Sequence, residues 1–285
     1  PWAAGGGTDA VARGLATPVS EILGVPVNVT NIVGGSGAIG LAEAMNAKPD
    51  GYTLVILPVE LAFMDKIGVY PFSLDNFETI MLLNSDPAAL TVNAKASWNT
   101  VEEFVEYGRQ NPGALKIGHS GVGLLWHLAA VALEDKAGVE FNLIPYDGAA
   151  PAIKALLGGE IDAVTVSAPE VSSQVLGGEL KCLAIMDEER YFLFPETPTM
   201  KEAGYDIVIN TFRGLGGPKG IPQDRIEIIH DAFKKAMEDE EFVGLMNNLG
   251  YGVKYLGPED YRKFFYDTEA QLTELLKIAG LLKEQ

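Results

Sequence analysis

Cysteine and histidine are scarce in the 285-residue sequence, and bases are outnumbered: it has one cysteine, three histidines, and 21 Lys and Arg against 39 Asp and Glu. Each shortage excludes something. A single cysteine, Cys182, closes no intrachain disulfide, and no C-x-x-C spacing exists for a metal ribbon or redox pair. It suits cytosol and periplasm equally. His119, His127 and His230 are too scattered for a zinc set, so no metal site is expected. The formal net charge of −18 argues against nucleic acid and anionic membrane surfaces, both of which draw basic proteins. Acids and bases are interspersed, which reads as a solvated surface and not an acidic tail. No apolar run reaches the ~20 residues of a membrane helix, and no signal peptide is visible. The first residues read as the end of a strand, so the chain is expected to continue upstream of Pro1.

What is present is apolar: 47% of residues are hydrophobic, enough for one large or two medium α/β domains. Runs rich in β-branched residues predict strands at "VPVNVT" (25–30), "YTLVIL", "ALTVN", "LKIGH", "FNLIPY", "IDAVTV", "LKCLAIM" and "YDIVINTF". Helical patterns start near Thr8, Gly37, Val101, Leu124, Ala150, Ser172, Gln223, Asp239 and Pro258. Such alternation predicts mostly parallel sheets flanked by helices. Thr100 with Glu103 forms a capping box, and Asn111-Pro112-Gly113 is a stop. Segments 93–99 and 210–222 look like crossovers. They imply a discontinuous first domain, 1–95 plus 215–285, with a second domain, 96–214, inserted on a two-strand hinge.

Three glycine loops stand between a strand and a helix: 4–9, 31–40 and 118–127. Free backbone N–H groups and the helix dipole favour an anion there, and glycine lets a ligand come close. For any one loop alone, tight turns are explanation enough. Gly35, Gly37 and Gly40 spell G-x-G-x-x-G, with Glu60 placed like a ribose-binding acid. An NAD(P)-dependent oxidoreductase is therefore the alternative. Against it, a strand and another glycine loop precede the motif, and no catalytic acid–base set accompanies it. "GGPKG" (216–220) is no Walker loop, since Lys219 lacks the spacing. "GHSGVG" misses the G-x-S-x-G elbow. His127, alone on a helix, reads more readily as a structural partner than a base. Asp9 and Arg13 stand one turn apart and can pair.

Taken together, "PWAAGGGTDAVAR" (1–13), "NIVGGSGAIG" (31–40), "KPDGYTLVI" (48–56), "NPGALKIGHSGVGLLWHL" (111–128), "IPYDGAAPAIKALLGGEIDAV" (144–164), "PTMKEAGY" (198–205) and "FRGLGGPKGIP" (212–222) resemble, in order and spacing, the solute-binding proteins of tripartite tricarboxylate transporters, the TctC or Bug family. The resemblance covers almost the whole chain. It implies an α/β, two-lobed periplasmic-binding-protein fold of type II-like "Venus flytrap" form. It also implies an exported periplasmic protein, a monomer without cofactor or catalysis. Such a protein captures a small carboxylate in an interdomain cleft and delivers it to membrane transporter subunits. A carboxylate sensor module of the same fold is a further alternative. The family's own loop at 34–40 implies no nucleotide. Two departures are a missing first strand before Pro1 and Pro18, which should kink a helix.

Carried onto this chain, the family's first loop makes Trp2, Ala4, Gly5, Gly6, Thr8 and Asp9 a carboxylate cradle. Ser120, Gly121, Val122 and Gly123 become its counterpart, with His127 beside them. Trp2 offers an apolar wall or packs in the core. Tyr146 lines the cleft or anchors a turn. Thr165 and Ser167 supply hydroxyls or cap the next turn. Arg213 meets a second carboxylate in a bidentate pair or pairs with an acid. Pro58 and Glu60 follow a strand on the ligand side of the sheet, and Glu60 would select an amine-bearing or hydroxylated ligand or point away.

Overall fold

The computed structural model describes residues 1–283. The spacing of Val11, Leu15 and Val19 is realised as α1 (Gly7–Leu23), whose buried stripe these residues form. The stripe packs on Ile226, Ile229 and Phe233 of α7 (Gln223–Ala236) and on Phe242 and Met246 of α8 (Glu240–Leu249). Each such side chain contributes about 1.5–3 kcal/mol by leaving water. Gly14 permits the close approach, because a Cβ there would stand 2.9 Å from carbons of Leu245 and Phe242. Pro18, where a kink is expected, lies inside α1, and the helix runs through it to Gly24, which caps it at φ 69°. Proline removes one backbone donor, and the packed stripe on both sides of it keeps the helix continuous.

The chain divides into two compact units. Unit one comprises Pro1–Ser85 and Phe212–Thr273 with Lys283; unit two comprises Asp86–Thr211 and Glu274–Leu282. The remaining helices are α2 (Ala38–Met45), α3 (Val101–Gln110), α4 (Leu125–Ala137), α5 (Ala149–Leu157), α6 (Ala168–Leu176) and α9 (Pro258–Ile278). The strands are β1 (Val55–Pro58), β2 (Phe77–Asn93), β3 (Lys116–His119), β4 (Asn142–Pro145), β5 (Ala163–Ser167), β6 (Leu180–Met186), β7 (Asn210–Pro218) and β8 (Val253–Leu256). The division falls inside β2 and inside β7, whereas the sequence placed the first crossing in the loop at 93–99.

The sheets are mixed, which corrects the mostly parallel expectation. In unit one, β1 runs antiparallel to β7, with Pro58 opposite Arg213, and β2 runs antiparallel to β8. In unit two, β2 is antiparallel to both β5 and β6, while β3 is parallel to β4 and β5. The reason lies in the connections. Helices α4 and α5 return the chain between β3, β4 and β5 in one direction, and β2 and β7 join without such a crossover. Pro87 falls between the two ladders of β2, where no donor is required.

"VPVNVT", expected as a strand, joins no ladder among the described residues. A groove of about 390 Å³, lined by Val27, Val29, Leu54 and Ile56 among others, runs along it and β1. The strands β8 and the first half of β2 escaped the sequence reading. β8 alternates exposed and half-buried residues around Lys254, and Asp86-Pro87 reads as a turn.

Glycines in β7 serve packing. A Cβ on Gly214 would lie 2.2 Å from the ring of Tyr261, a fully buried residue of α9. Gly214→Ala should therefore destabilise unit one by about 1–3 kcal/mol through overpacking. Chemical denaturation followed by tryptophan fluorescence measures it; wild-type stability would refute this packing account.

Candidate functional site

Two loops carry the geometry, one in each unit. In unit one, α1 begins at Gly7 after the N-cap Gly6, which has no side chain to cap the helix. Among the described residues, the N–H groups of Gly6, Gly7, Thr8 and Asp9 meet no protein acceptor. They are the orphan donors of a helix start, aligned with the positive end of its dipole. Ala4, Gly5 and Gly6 are exposed, and Gly5 adopts φ 88°, a conformation that favours glycine.

Asp9 shapes this loop from behind. It is buried, and its carboxylate accepts the Gly5 N–H at 2.9 Å, Asn31 Nδ2 at 2.8 Å and Arg13 Nε at 2.9 Å. The Gly5 N–H, Asn31 and Arg13 together hold its carboxyl down at about 2. Asn31 also donates to the Trp2 carbonyl at 3.0 Å and accepts from Arg13 at 2.7 Å. Thus the side chain of Asp9 closes the loop, and only its N–H faces outward. Asn31 was not singled out from the sequence, although it is the first residue of the second glycine loop, 31–40.

Arg213 sits beneath the first turn of α1. Its Nε donates to Thr8 Oγ1 at 3.2 Å, Nη1 donates to Asn84 Oδ1, and the guanidinium lies 5.4 Å from the Tyr251 ring centroid. A Cβ at Gly7 would fall 2.7 Å from Arg213 Nη2 and 2.9 Å from the Tyr251 hydroxyl, so a larger residue there would push the ends of both side chains aside. A guanidinium and a helix N-terminus thus converge, both of the sign that attracts an anion. Asn84 and Tyr251 lie far from Arg213 in sequence and gave no signal of this role.

Pro58 stands opposite Arg213 in the β1–β7 ladder. Glu60, half-buried, lies in the first turn of the following 3-10 helix (Val59–Ala62). Burial pushes its carboxyl up, its own backbone N–H and the Arg213 charge opposing. Tyr70 is buried, donates to the Ser36 carbonyl at 2.5 Å, and is held up by burial and by Glu60. The G-x-G-x-x-G glycines are spent on packing. Gly37, at φ 94°, has Tyr70 and Trp2 against it, and a Cβ on Gly40 would meet the Ile32 carbonyl at 2.5 Å. No strand precedes the motif in a ladder, and β1 after it is antiparallel to its neighbour, unlike a dinucleotide-binding unit.

In unit two, β3 ends at His119 and α4 begins at Leu125. The Gly121 N–H lies 3.3 Å from His119 Nδ1, and the Gly123 N–H donates to His127 Nδ1 at 3.2 Å. Among the described residues, the N–H groups of Ser120, Val122, Leu125 and Trp126 meet no protein acceptor. These, and not the two glycines, are the open donors. Val122 is exposed. Tyr146 donates its N–H to the His119 carbonyl at 2.9 Å, and its ring covers Gly118. Thr165 is fully buried and donates to the Trp126 carbonyl at 2.7 Å, fixing the first turn of α4. Ser167 donates to Glu170 and caps α6.

Two outcomes follow. Asp9→Ala should cost about 1–3 kcal/mol, because it strands the donors of Gly5 and Asn31; unchanged denaturation would refute the hub. His119 is fully buried, and burial, helped by His127, pushes its imidazole down to about 4. The unfolded chain takes a proton near pH 6.5 and the folded one does not, so stability is complete above pH 6.5 and falls as pH drops toward 4. His119→Phe should flatten that slope in urea titrations; an unchanged slope would contradict the assignment.

The description of the family model that matches residues 11–281 is "Tripartite tricarboxylate transporter family receptor". A Cupriavidus necator protein encoded in the gbd 5' region is 35% identical over 100% of this chain and 87% of its own length. The crystal structure of a TctC solute-binding protein from Polaromonas is 40% identical, covers 97% of this chain and 96% of its own, and superposes with a TM-score of 0.88. A Rhodopseudomonas palustris protein solved with adipate shares the fold at 24% identity and a TM-score of 0.84, over 98% of this chain and 95% of its own. The open donors at two helix starts, the two-unit α/β fold and these matches agree, and the chain belongs to the tripartite tricarboxylate transporter receptor family.

Proposed function

We propose that this receptor binds a small carboxylate, with the open N–H groups of Gly6–Asp9 as the cradle of unit one; the open N–H groups of Ser120, Val122, Leu125 and Trp126 make an anion-favouring donor set of the same kind in unit two. The observation that carries the reading is the first turn of α1, where unpartnered N–H donors and Arg213 converge without a capping side chain. A backbone cradle of this kind reconciles an anionic cargo with a net charge of −18. Local dipoles act at contact, whereas salt screens the distant charges beyond about 8–10 Å. Trp2 and Pro58 supply apolar walls. Glu60, beside Arg213, favours a cargo carrying a hydroxyl or amine. Thr165, Ser167 and the Asp9 carboxylate support the cradles from behind.

The protein does no chemistry on its cargo in this reading. It works in the periplasm as a monomer and hands the acid to membrane subunits of a tripartite transporter. The adipate bound by the R. palustris relative supports a linear carboxylate as the cargo class.

A thermal-shift screen against adipate, malate, aspartate, citrate, benzoate and NADH tests this. At about 100 times its dissociation constant a native-state ligand stabilises by about 2.7 kcal/mol. The expected result is a selective shift with one class of acid; a shift with NADH alone would overturn it. Arg213→Gln should weaken the selected acid by about 10–100-fold, the range of a lost charge-assisted bond. Calorimetry reads that loss, and unchanged affinity would remove Arg213 from the site.

A further inference from the structure

We infer that His127 is a positioning residue: its imidazole, backed by His119, accepts the Gly123 N–H and thereby fixes which backbone donors the Ser120–Trp126 loop offers. The functional consequence rests on the carboxylate reading above; the geometry does not. A backbone N–H can only donate, so His127 Nδ1 must carry no proton and Nε2 must carry it. Gly123 reaches that bond at φ 77°, and the His127 N–H itself donates to the Leu124 carbonyl at 3.0 Å. The loop is thus pinned at both glycines. Gly123 rests on His127, and Gly121 rests on His119, whose Nδ1 lies 3.2 Å from the Gly121 carbonyl and 3.3 Å from its nitrogen.

The two rings stand 4.6 Å apart, centroid to centroid. His119 is fully buried and its Nε2 meets no partner among the described residues. Among the described residues no carboxylate is hydrogen-bonded to either ring, and only the Gly121 carbonyl, 3.2 Å from His119 Nδ1, favours a proton there. β5 presents only Ala163, Val164, Thr165, Val166 and Ser167, and β4 has no ionisable side chain. Lys154 is the charged residue of α5, Tyr146 follows β4, and Glu134, Asp135 and Lys136 lie at the far end of α4. Burial pushes His127 down, and burial and His127 push His119 down.

The latch is therefore acid-sensitive. At neutral pH both rings are uncharged and the loop is held. As pH falls, a proton on His127 Nδ1 replaces an acceptor with a donor facing the Gly123 N–H. Two donors cannot share that contact, so the loop leaves its position and the carboxylate loses its donors. Binding should weaken on acidification beyond what the ligand's own titration causes.

The test uses the intact chain. A through-hydrogen-bond nitrogen–nitrogen coupling between Gly123 and His127 Nδ1 is expected in the NMR spectrum; its absence overturns the inference without any ligand. His127→Asn puts an oxygen acceptor near the Nδ1 position and cannot titrate, whereas His127→Leu removes the acceptor. Because burial pushes His127 below the ordinary histidine value, adipate and malate binding is measured by calorimetry from about pH 7.5 down to about 4.5. His127→Leu should lose about tenfold affinity at neutral pH, and His127→Asn should restore it to within about threefold. Wild type should weaken with acid more steeply than His127→Asn. Parallel pH profiles, or a wild type that tightens in acid, would overturn the positioning role; should His127→Leu fail to fold, the profiles of the other two still decide. Binding of neither acid by wild type would count against the carboxylate reading, with the coupling still deciding the inference.

Discussion

The carboxylate of Asp9 is the interaction on which the unit-one site depends. It gathers the Gly5 N–H, the Asn31 amide and the Arg13 guanidinium into one buried point. Asn31 in turn holds the Trp2 carbonyl. A loop made almost wholly of glycine and alanine would otherwise sample many backbone states, glycine most of all. The buried acceptor selects one of them. It does so from the inner side of the first turn, so the N–H groups of Gly6 to Asp9 stay available on the outer side. The acid next to the proposed cradle is therefore not in conflict with it: its charge is taken up by Arg13 and two further donors, which hold its carboxyl well below the usual carboxylate range.

The same division of labour holds at Arg213 and in unit two. Arg213 is fixed by Thr8, Asn84 and the Tyr251 ring beneath a helix start of the same electrostatic sign. In unit two the fixing groups are imidazoles, and Thr165 holds the Trp126 carbonyl from below. In both units side chains fix the backbone, and the backbone presents the donors. In the function proposed above, recognition by main-chain groups is what lets an acidic protein hold an acid with so few cationic side chains at the cradles.

Much of this was legible in the residues. The helix starts were readable from apolar stripes and caps, and the helices at Val101, Gln223 and Pro258 begin where the pattern placed them. The glycine loops at 4–9 and 118–127 were readable as anion-favouring. The loop at 34–40 shows the limit of such reading: its glycines match a dinucleotide signature, yet Gly37 answers to a backbone at φ 94° and Gly40 to the Ile32 carbonyl and Pro1, which leave no room for a Cβ. The roles of Asn31, Asn84, Tyr251 and His119 were not legible, since each acts on a residue or loop through contacts that no local pattern encodes. Ser167, a candidate hydroxyl, caps α6 with Glu170, a pairing that three-residue spacing does encode.

The sequence by itself determined the α/β class, the helices and the places where bare backbone meets a helix start. These follow from local periodicity, from glycine's freedom and from the dipole of the helix that comes next. Only the tertiary structure decided strand direction, the absence of a ladder at 25–30, and which donors of each loop remain open. Strand direction depends on how crossovers return the chain. An open donor is defined by acceptors that are absent within bonding distance, and those acceptors, the carboxylate of Asp9 and the imidazoles of His119 and His127, reach their positions only when the buried stripes of helix and strand have packed.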